Sequence, residues 1–286
     1  MHRFQHTAMA TQFEIRCDHR DAEYARQAAR AAFAAVDSLE HKLSRFVENS
    51  DITRVNHLEA GESTVVGFET MQCLQLAVLL HAETRGAFDI SLGTGFDQLE
   101  LAPADFLVSA NAPGVRLDLG AIGKGYAVDR MADVLEDWDV RQALIDAGFS
   151  SVLALDPPSG TEGWPLTLSD PGPAGVVRER LCARQLALAA SGIRKGDHIV
   201  NPRDGAPIRS RAAAWVAAPR GVLASIGRQA GVDDAAAAVA DALSTACMVL
   251  PEADIAGLCD RHHAMEAWIL EGTLSHFPAT ARQHNE

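Results

Sequence analysis

No stretch of this 286-residue chain approaches the roughly eighteen consecutive apolar residues that a membrane helix requires. The opening Met1-His-Arg-Phe-Gln-His-Thr-Ala-Met-Ala10 also lacks an apolar run of the length a secretory signal needs. The expectation is a cytoplasmic protein without membrane insertion. Basic residues are scarce: 25 Lys and Arg stand against 38 Asp and Glu, a formal charge of -13. That deficit argues against nucleic acid or an anionic membrane surface as the main partner, since both call for clustered Lys and Arg. The five cysteines, Cys17, Cys73, Cys182, Cys247 and Cys259, are odd in number and show no Cys-x-x-Cys spacing, so they read as reduced thiols or small core residues. None of the eleven histidines has zinc-ligand spacing, and the pair His262-His263 reads as solvated. The absence of a fixed-period repeat removes solenoids and propellers. With 48% apolar residues, what is left is a globular chain able to bury a large core.

Along that chain, extended and helical patterns alternate. Residues 11 to 17 alternate apolar and polar as a half-buried strand does. From Asp21 to Leu43, Ala28, Ala32, Ala35, Val36, Leu39 and Leu43 recur at three and four, which puts them on one helical face. Ser50 should cap a short helical turn ending near Asn56, and a second helix should run from about Gly67 to Thr84 and stop before Gly86. A strand is expected near Val115 to Leu119 and a helix from about Gly123 to Trp138. Further strands are expected at 142 to 146, 151 to 155, 164 to 169 and 185 to 190, and from about 211 to Ala218. A helix from about Asp233 to Leu250 and a strand pair around Gly272 complete the pattern.

The chemistry concentrates where the 115–119 segment meets the following helix. Arg116-Leu-Asp-Leu-Gly-Ala-Ile-Gly-Lys-Gly-Tyr-Ala-Val-Asp129 combines glycines, which admit an anion close to backbone N–H groups, with a helix start and the charge of Lys124. It reads as a phosphate-holding loop, and equally as three glycines that let a helix pack tightly. Its spacing is neither that of a Walker loop nor that of a dinucleotide fingerprint. A polyanionic ligand on so acidic a chain needs a local counter-charge, and a divalent cation supplies one. Asp241 and Thr245, four apart on the last long helix with Ser244 beside them, form a hard-oxygen cluster suited to Mg²⁺ as well as an ordinary set of caps and solvated residues.

Taken together these residues resemble the ApbE family of FAD:protein FMN transferases, from Met9 to about Leu250. The landmarks are Met9-Ala-Thr-Gln-Phe13, Leu43-Ser-Arg-Phe46 with Ser50-Asp-Ile-Thr-Arg-Val-Asn56, Gly86-Ala-Phe-Asp-Ile-Ser-Leu-Gly93, Leu117 to Asp129, His198-Ile-Val-Asn-Pro-Arg-Asp-Gly205, and Asp241-Ala-Leu-Ser-Thr245. They follow one another in the family's order. The resemblance implies a single domain over residues 1–286 with an α+β, T-fold-like architecture: mixed sheets with flanking helices, in two lobes about an FAD cleft. It implies that FAD, as substrate, is split at its pyrophosphate with Mg²⁺, and that FMN passes to a Thr or Ser hydroxyl of an acceptor protein with release of AMP. An FAD pyrophosphatase, or a flavin-binding protein without turnover, would share the site.

Residue by residue, the resemblance gives FAD contacts to Met9, Phe46, Ala87, Phe88, Asp89, Asp118, Lys124 and Val200. It assigns the metal to Ala121 through its carbonyl, Asp241, Ser244 and Thr245, and the part of general base for the acceptor hydroxyl to His198, a residue type that titrates near neutral pH. The chain departs from the family pattern at Asn201, where the usual aspartate is replaced by a side chain able to keep a turn-forming hydrogen bond. It departs again at Asp146-Ala-Gly-Phe-Ser150, which stands where Asn-Ala-Gly-Gly-Asp is usual. Ser191-Gly-Ile-Arg-Lys195 is shorter than the corresponding stretch, and 220–236 is longer.

Overall fold

The computed structural model describes residues 1–172, 175–193, 196, 199–221, 228–232, 234–262 and 264–278. Its centre is an eight-stranded sheet in the order β1 (His2–Ala8), β2 (Thr11–Cys17), β6 (Ala143–Ala147), β7 (Ser151–Ala154), β10 (Leu186–Gly192), β11 (Ala213–Pro219), β12 (Glu266–Glu271), β13 (Thr273–Phe277). Every ladder in it is antiparallel, so the mixed sheets implied by the resemblance are antiparallel in each named pairing. Two smaller sheets accompany it: β3 (Ser63–Val65), β5 (Leu107–Ala110) and β4 (Leu99–Ala102) in that order, and the hairpin β8 (Trp164–Ser169) with β9 (Val177–Ala183). The helices are α1 (Ala22–Leu43), α2 (Asp51–Val55), α3 (Phe68–Glu83), α4 (Gly123–Asp137), α5 (Ala236–Val249) and α6 (Glu252–Arg261).

Alternation along the strands sorts the core into two layers. In β11, Ala214, Val216 and Ala218 join the large core with α1, α4 and α5, while Ala213, Trp215 and Ala217 join a second cluster with Trp164, Leu166 and Leu168 of the β8–β9 hairpin. In β12, Ala267 and Ile269 divide from Trp268 and Leu270 in the same way. The sheet is thus covered on both faces, which is why its central strands read as nearly unbroken apolar runs.

Local sequence accounts for most boundaries. Asp21 accepts from the Glu23 and Tyr24 N–H groups to start α1, and Ser50 accepts from Thr53 to start α2. The expected strand at 115–119 forms no ladder. Its polar groups go elsewhere: Leu117 exchanges two hydrogen bonds with the Asn56 side chain, and Asp118 N–H donates to the Ile90 carbonyl at 2.7 Å. His262 is also not solvated, since its ring packs against Glu83 with Nε2 3.1 Å from Oε1; His263 lies outside the described residues. The cysteines are free thiols, buried except Cys182.

Helix α5 has no side-chain cap of its own at its N-cap residue, Ala235. Asp129 of α4 takes that place from a distance: its two carboxylate oxygens accept from the N–H groups of Ala237 (2.9 Å) and Ala238 (2.8 Å). At the other end Arg211 donates to the carbonyls of Cys247 (2.6 Å) and Leu250 (2.5 Å). The Asp129 carboxyl satisfies two of the free N–H groups at the amino end, and a positive group at the carboxyl end complements the helix dipole. Between these ends α4 and α5 touch backbone to backbone at Gly125, where a Cβ would overlap the Ala237 carbonyl and come 2.8 Å from the Ala238 Cα.

The first consequence concerns pH. Burial pushes the Asp129 carboxyl up to about 8, opposed by its two backbone donors. A carboxyl raised on folding keeps a proton that the unfolded chain releases, so stability is greatest below the ordinary carboxylate range and is lost as pH rises toward 8, with a slope of up to about 1.4 kcal/mol per pH unit. Urea midpoints should therefore fall between pH 5.5 and 7.5, and Asp129→Asn should flatten that fall; a midpoint rising with pH contradicts it. The second concerns packing: Gly125→Ala should cost about 1–3 kcal/mol or more in urea unfolding, because backbone on both sides resists the added methyl.

Candidate active site

The amino end of α4 and the middle of α5 meet at the floor of a cleft of about 1130 Å³. Asp241, only 2% exposed, points from α5 toward the start of α4, where its Oδ2 accepts from Gly125 N–H at 3.1 Å and lies 3.3 Å from Lys124 Nζ. Lys124 also donates to the Gly120 carbonyl at 2.8 Å. Burial pushes the Asp241 carboxyl above the ordinary carboxylate range, while Lys124, the Gly125 N–H and the Ser151 hydroxyl favour its charged form. Ser151 is fully buried, and its Oγ has no hydrogen-bond partner in good geometry.

One turn along α5, Ser244 Oγ donates to the Asp241 carbonyl at 2.8 Å, and Thr245 stands beside it. The Ser191 hydroxyl, at the end of β10, lies 2.8 Å from Ser244 Oγ and 2.9 Å from Thr245 Oγ1. Asp118 is tied down at both oxygens: Oδ1 accepts from Gly120 N–H at 2.8 Å and Oδ2 lies 3.1 Å from Arg45 Nε. Asp89 organises its own turn, accepting from Ser91 N–H and hydroxyl at 2.7 and 2.8 Å and from Gly93 N–H at 3.0 Å.

The cleft lining brings together Ala87, Phe88, Asp89, Asp118, Ala121, Lys124, Val200, Asp241 and Thr245. Three other expected residues stand apart from it. Ser244 is fully buried behind Thr245. Met9 sits at the β1–β2 turn against the core, with a φ of 48°. Phe46 is 81% exposed under the Arg45 guanidinium, 4.4 Å from ring to Cζ, and Arg45 in turn pairs with Asp118. His198 falls outside the described residues. Asn201 keeps the turn: its Oδ1 accepts from Arg203 N–H at 3.1 Å and its carbonyl from Gly205 N–H at 2.8 Å.

Of the three loop glycines, Gly125 is a packing glycine, whereas a Cβ at Gly123 would meet only the Leu119 Cβ, 3.8 Å away. The packing use of the loop therefore holds at Gly125. Sequence reasoning missed Ser191 and Ser151 as parts of the site. A serine closing an apolar strand is the only local sign of Ser191, and Ser151 carries none, because its importance comes from the helix that crosses over it.

The sequence pattern of the ApbE family matches residues 9–95 and 93–269. The FAD:protein FMN transferase of Vibrio cholerae is 22% identical over 254 residues, covering 76% of this chain and 71% of that protein. That of Treponema pallidum is 28% identical over 271 residues, covering 76% and 70%. Among solved structures, the flavin transferase ApbE from Vibrio cholerae superposes with a TM-score of 0.80 at 18% identity, covering 97% of this chain and 96% of that one. The ApbE protein from Thermotoga maritima gives 0.79 at 23%, covering 96% of each. The α+β fold is the one those structures have, and this chain belongs to the ApbE family.

Proposed function

We propose that this protein is a Mg²⁺-dependent FAD:protein FMN transferase, taking FAD into the cleft and passing FMN to a Thr or Ser hydroxyl of an acceptor protein. The observation that carries the reading is the meeting of buried Asp241 with Lys124, the Gly125 N–H and the hydroxyls of Ser191 and Thr245 at the floor of one large cleft, in a chain of this family. The cleft is slightly larger than the usual range for small-molecule sites, which suits a dinucleotide.

The donors fit a hard divalent cation. Asp241 supplies a carboxylate, Thr245 a hydroxyl and Ala121 a carbonyl, with Ser244 and Ser191 behind them, and the orphaned Ser151 hydroxyl lies against the same carboxylate. Among the described residues no group of three or more His, Cys, Asp or Glu side chains forms a metal cage. One carboxylate completed by substrate phosphates is how Mg²⁺ is commonly held. When bound, the cation neutralises charge on the pyrophosphate as its P–O bond breaks.

The chain's own groups do the rest. Lys124, 20% exposed and anchored by the Gly120 carbonyl, presents a positive charge toward the phosphate oxygens. Asp118, held by Arg45 and Gly120 N–H, fixes the loop in front of it and offers its remaining lone pairs to the substrate. The acceptor hydroxyl oxygen bonds to the FMN phosphorus, the bridging P–O bond breaks, and AMP leaves with the bond's electron pair. His198 takes the hydroxyl proton. Ala87, Phe88, Asp89 and Val200 line the wall that receives the rest of FAD, with Met9 and Phe46 as outer contacts.

Incubation with FAD, Mg²⁺ and a peptide bearing the family's flavinylation sequence should put FMN covalently on the peptide. Free FMN and AMP without peptide labelling would instead mark a pyrophosphatase, and bound but intact FAD a flavin binder. Asp241→Ala should lower transfer by on the order of 10²-fold or more while far-ultraviolet circular dichroism stays native. An unchanged Mg²⁺ dependence in that variant sinks the metal assignment.

A further inference from the structure

Two residues of the cleft lining, Leu92 and Phe149, are built against local preference, and Phe149 is the aromatic one. Phe149 lies in the β6–β7 turn with a φ of 60°, a left-handed conformation that is costly for a bulky side chain, and it is 84% exposed. The turn around it is fixed. Phe149 N–H donates to Asp146 Oδ1 at 2.8 Å, Gly148 N–H to the Gln12 carbonyl at 2.9 Å, and Ala190 N–H to the Ser150 carbonyl at 2.8 Å. Gly148 is seated so tightly on Thr11 that a Cβ there would overlap the Thr11 hydroxyl. The ring has no aromatic partner among the described residues. Strain of this kind at a cleft, held by its surroundings, points toward a ligand contact.

Its place in the cleft says which ligand. Ala190, bonded to Ser150, precedes Ser191, so Phe149 stands a few residues from the hydroxyl cluster on α5. The same cleft lining carries Leu144, Val152, Leu188 and Trp215 from the sheet and Pro165 and Leu166 from the β8–β9 hairpin, an apolar wall whose chemistry suits a flat aromatic ring. Asp89 and Val200, also in the lining, add carboxylate and backbone groups that suit the polar edge of adenine.

Building on the FAD reading above, we propose that Phe149 is a stacking platform for the isoalloxazine ring, a contact this chain has where the family pattern usually has glycine. Removing it weakens the flavin end of the ligand alone. The ring also sets ligand preference: dinucleotides without a tricyclic ring gain nothing from it.

The test measures binding of FAD and of ADP-ribose, in Mg²⁺, to the unaltered protein and to Phe149→Ala, Phe149→Gly and Phe149→Trp. Stacking predicts that Ala and Gly weaken FAD about three- to tenfold, that Trp retains its affinity, and that ADP-ribose binding is the same in all four proteins. A purely structural role is separated by Phe149→Gly, whose thermal midpoint should equal or exceed that of the unaltered protein, because glycine adopts a positive φ without strain. Equal loss of ADP-ribose and FAD overturns the inference, as does FAD affinity unchanged in the Ala and Gly variants with only the acceptor-peptide KM raised. Failure of the unaltered protein to bind FAD overturns the functional reading with it, whereas FAD binding insensitive to Phe149 leaves that reading standing.

Discussion

Helix α5 is gripped at both ends by buried side chains from elsewhere in the chain, and the placement of Asp241 depends on that grip. Asp129 closes its amino end through two backbone N–H groups and Arg211 closes its carboxyl end through two carbonyls. Neither contact is local in sequence, and both side chains are buried, so the helix cannot slide or turn without exposing groups that have no other partners. Gly125 adds a third constraint by letting α4 approach until backbones touch. The result is that Asp241 sits beside Lys124 and the Gly125 N–H with little freedom, although it comes from a helix more than a hundred residues away in the chain.

This rigidity matters because the chain is strongly acidic overall. A carboxylate that is 2% exposed, in a protein of charge -13, is costly to keep ionised unless its partners are placed for it. Lys124 and the Gly125 N–H are those partners, with the Ser151 hydroxyl close by. On the same floor the Ser191 hydroxyl ties β10 to Ser244 and Thr245 of α5, so strand and helix are joined beside Asp241.

Much of this was legible in the sequence, and the exceptions have physical reasons. Helices with local caps, such as α1 behind Asp21 and α2 behind Ser50, announce their starts. The start of α5 is read about three residues early, at Asp233, because Asp234 caps Ala236 locally while the caps of Ala237 and Ala238 come from Asp129 on another helix. The 115–119 segment has the composition of a strand, but Asn56 and Ile90 take its backbone groups, and no single-segment pattern reveals a partner about sixty residues away. Strand β1, helix α6, the small β3–β5–β4 sheet and strand β9 went unread: β9 is mostly exposed and polar, and the small sheet has strands of only three or four residues. The site cluster was visible as the spacing of Asp241 and Thr245, whereas Ser151 and Ser191 join it only through sheet packing.

On the proposed function, the clamped helix presents a metal site to the pyrophosphate of FAD. Anomalous diffraction from crystals grown with FAD and Mn²⁺ in place of Mg²⁺ locates that metal. A manganese peak should lie within about 2–2.4 Å of Asp241 and Thr245 oxygens, in contact with the FAD phosphates and facing Lys124. A peak held elsewhere in the cleft, or FAD bound with no metal against Asp241, excludes such a site.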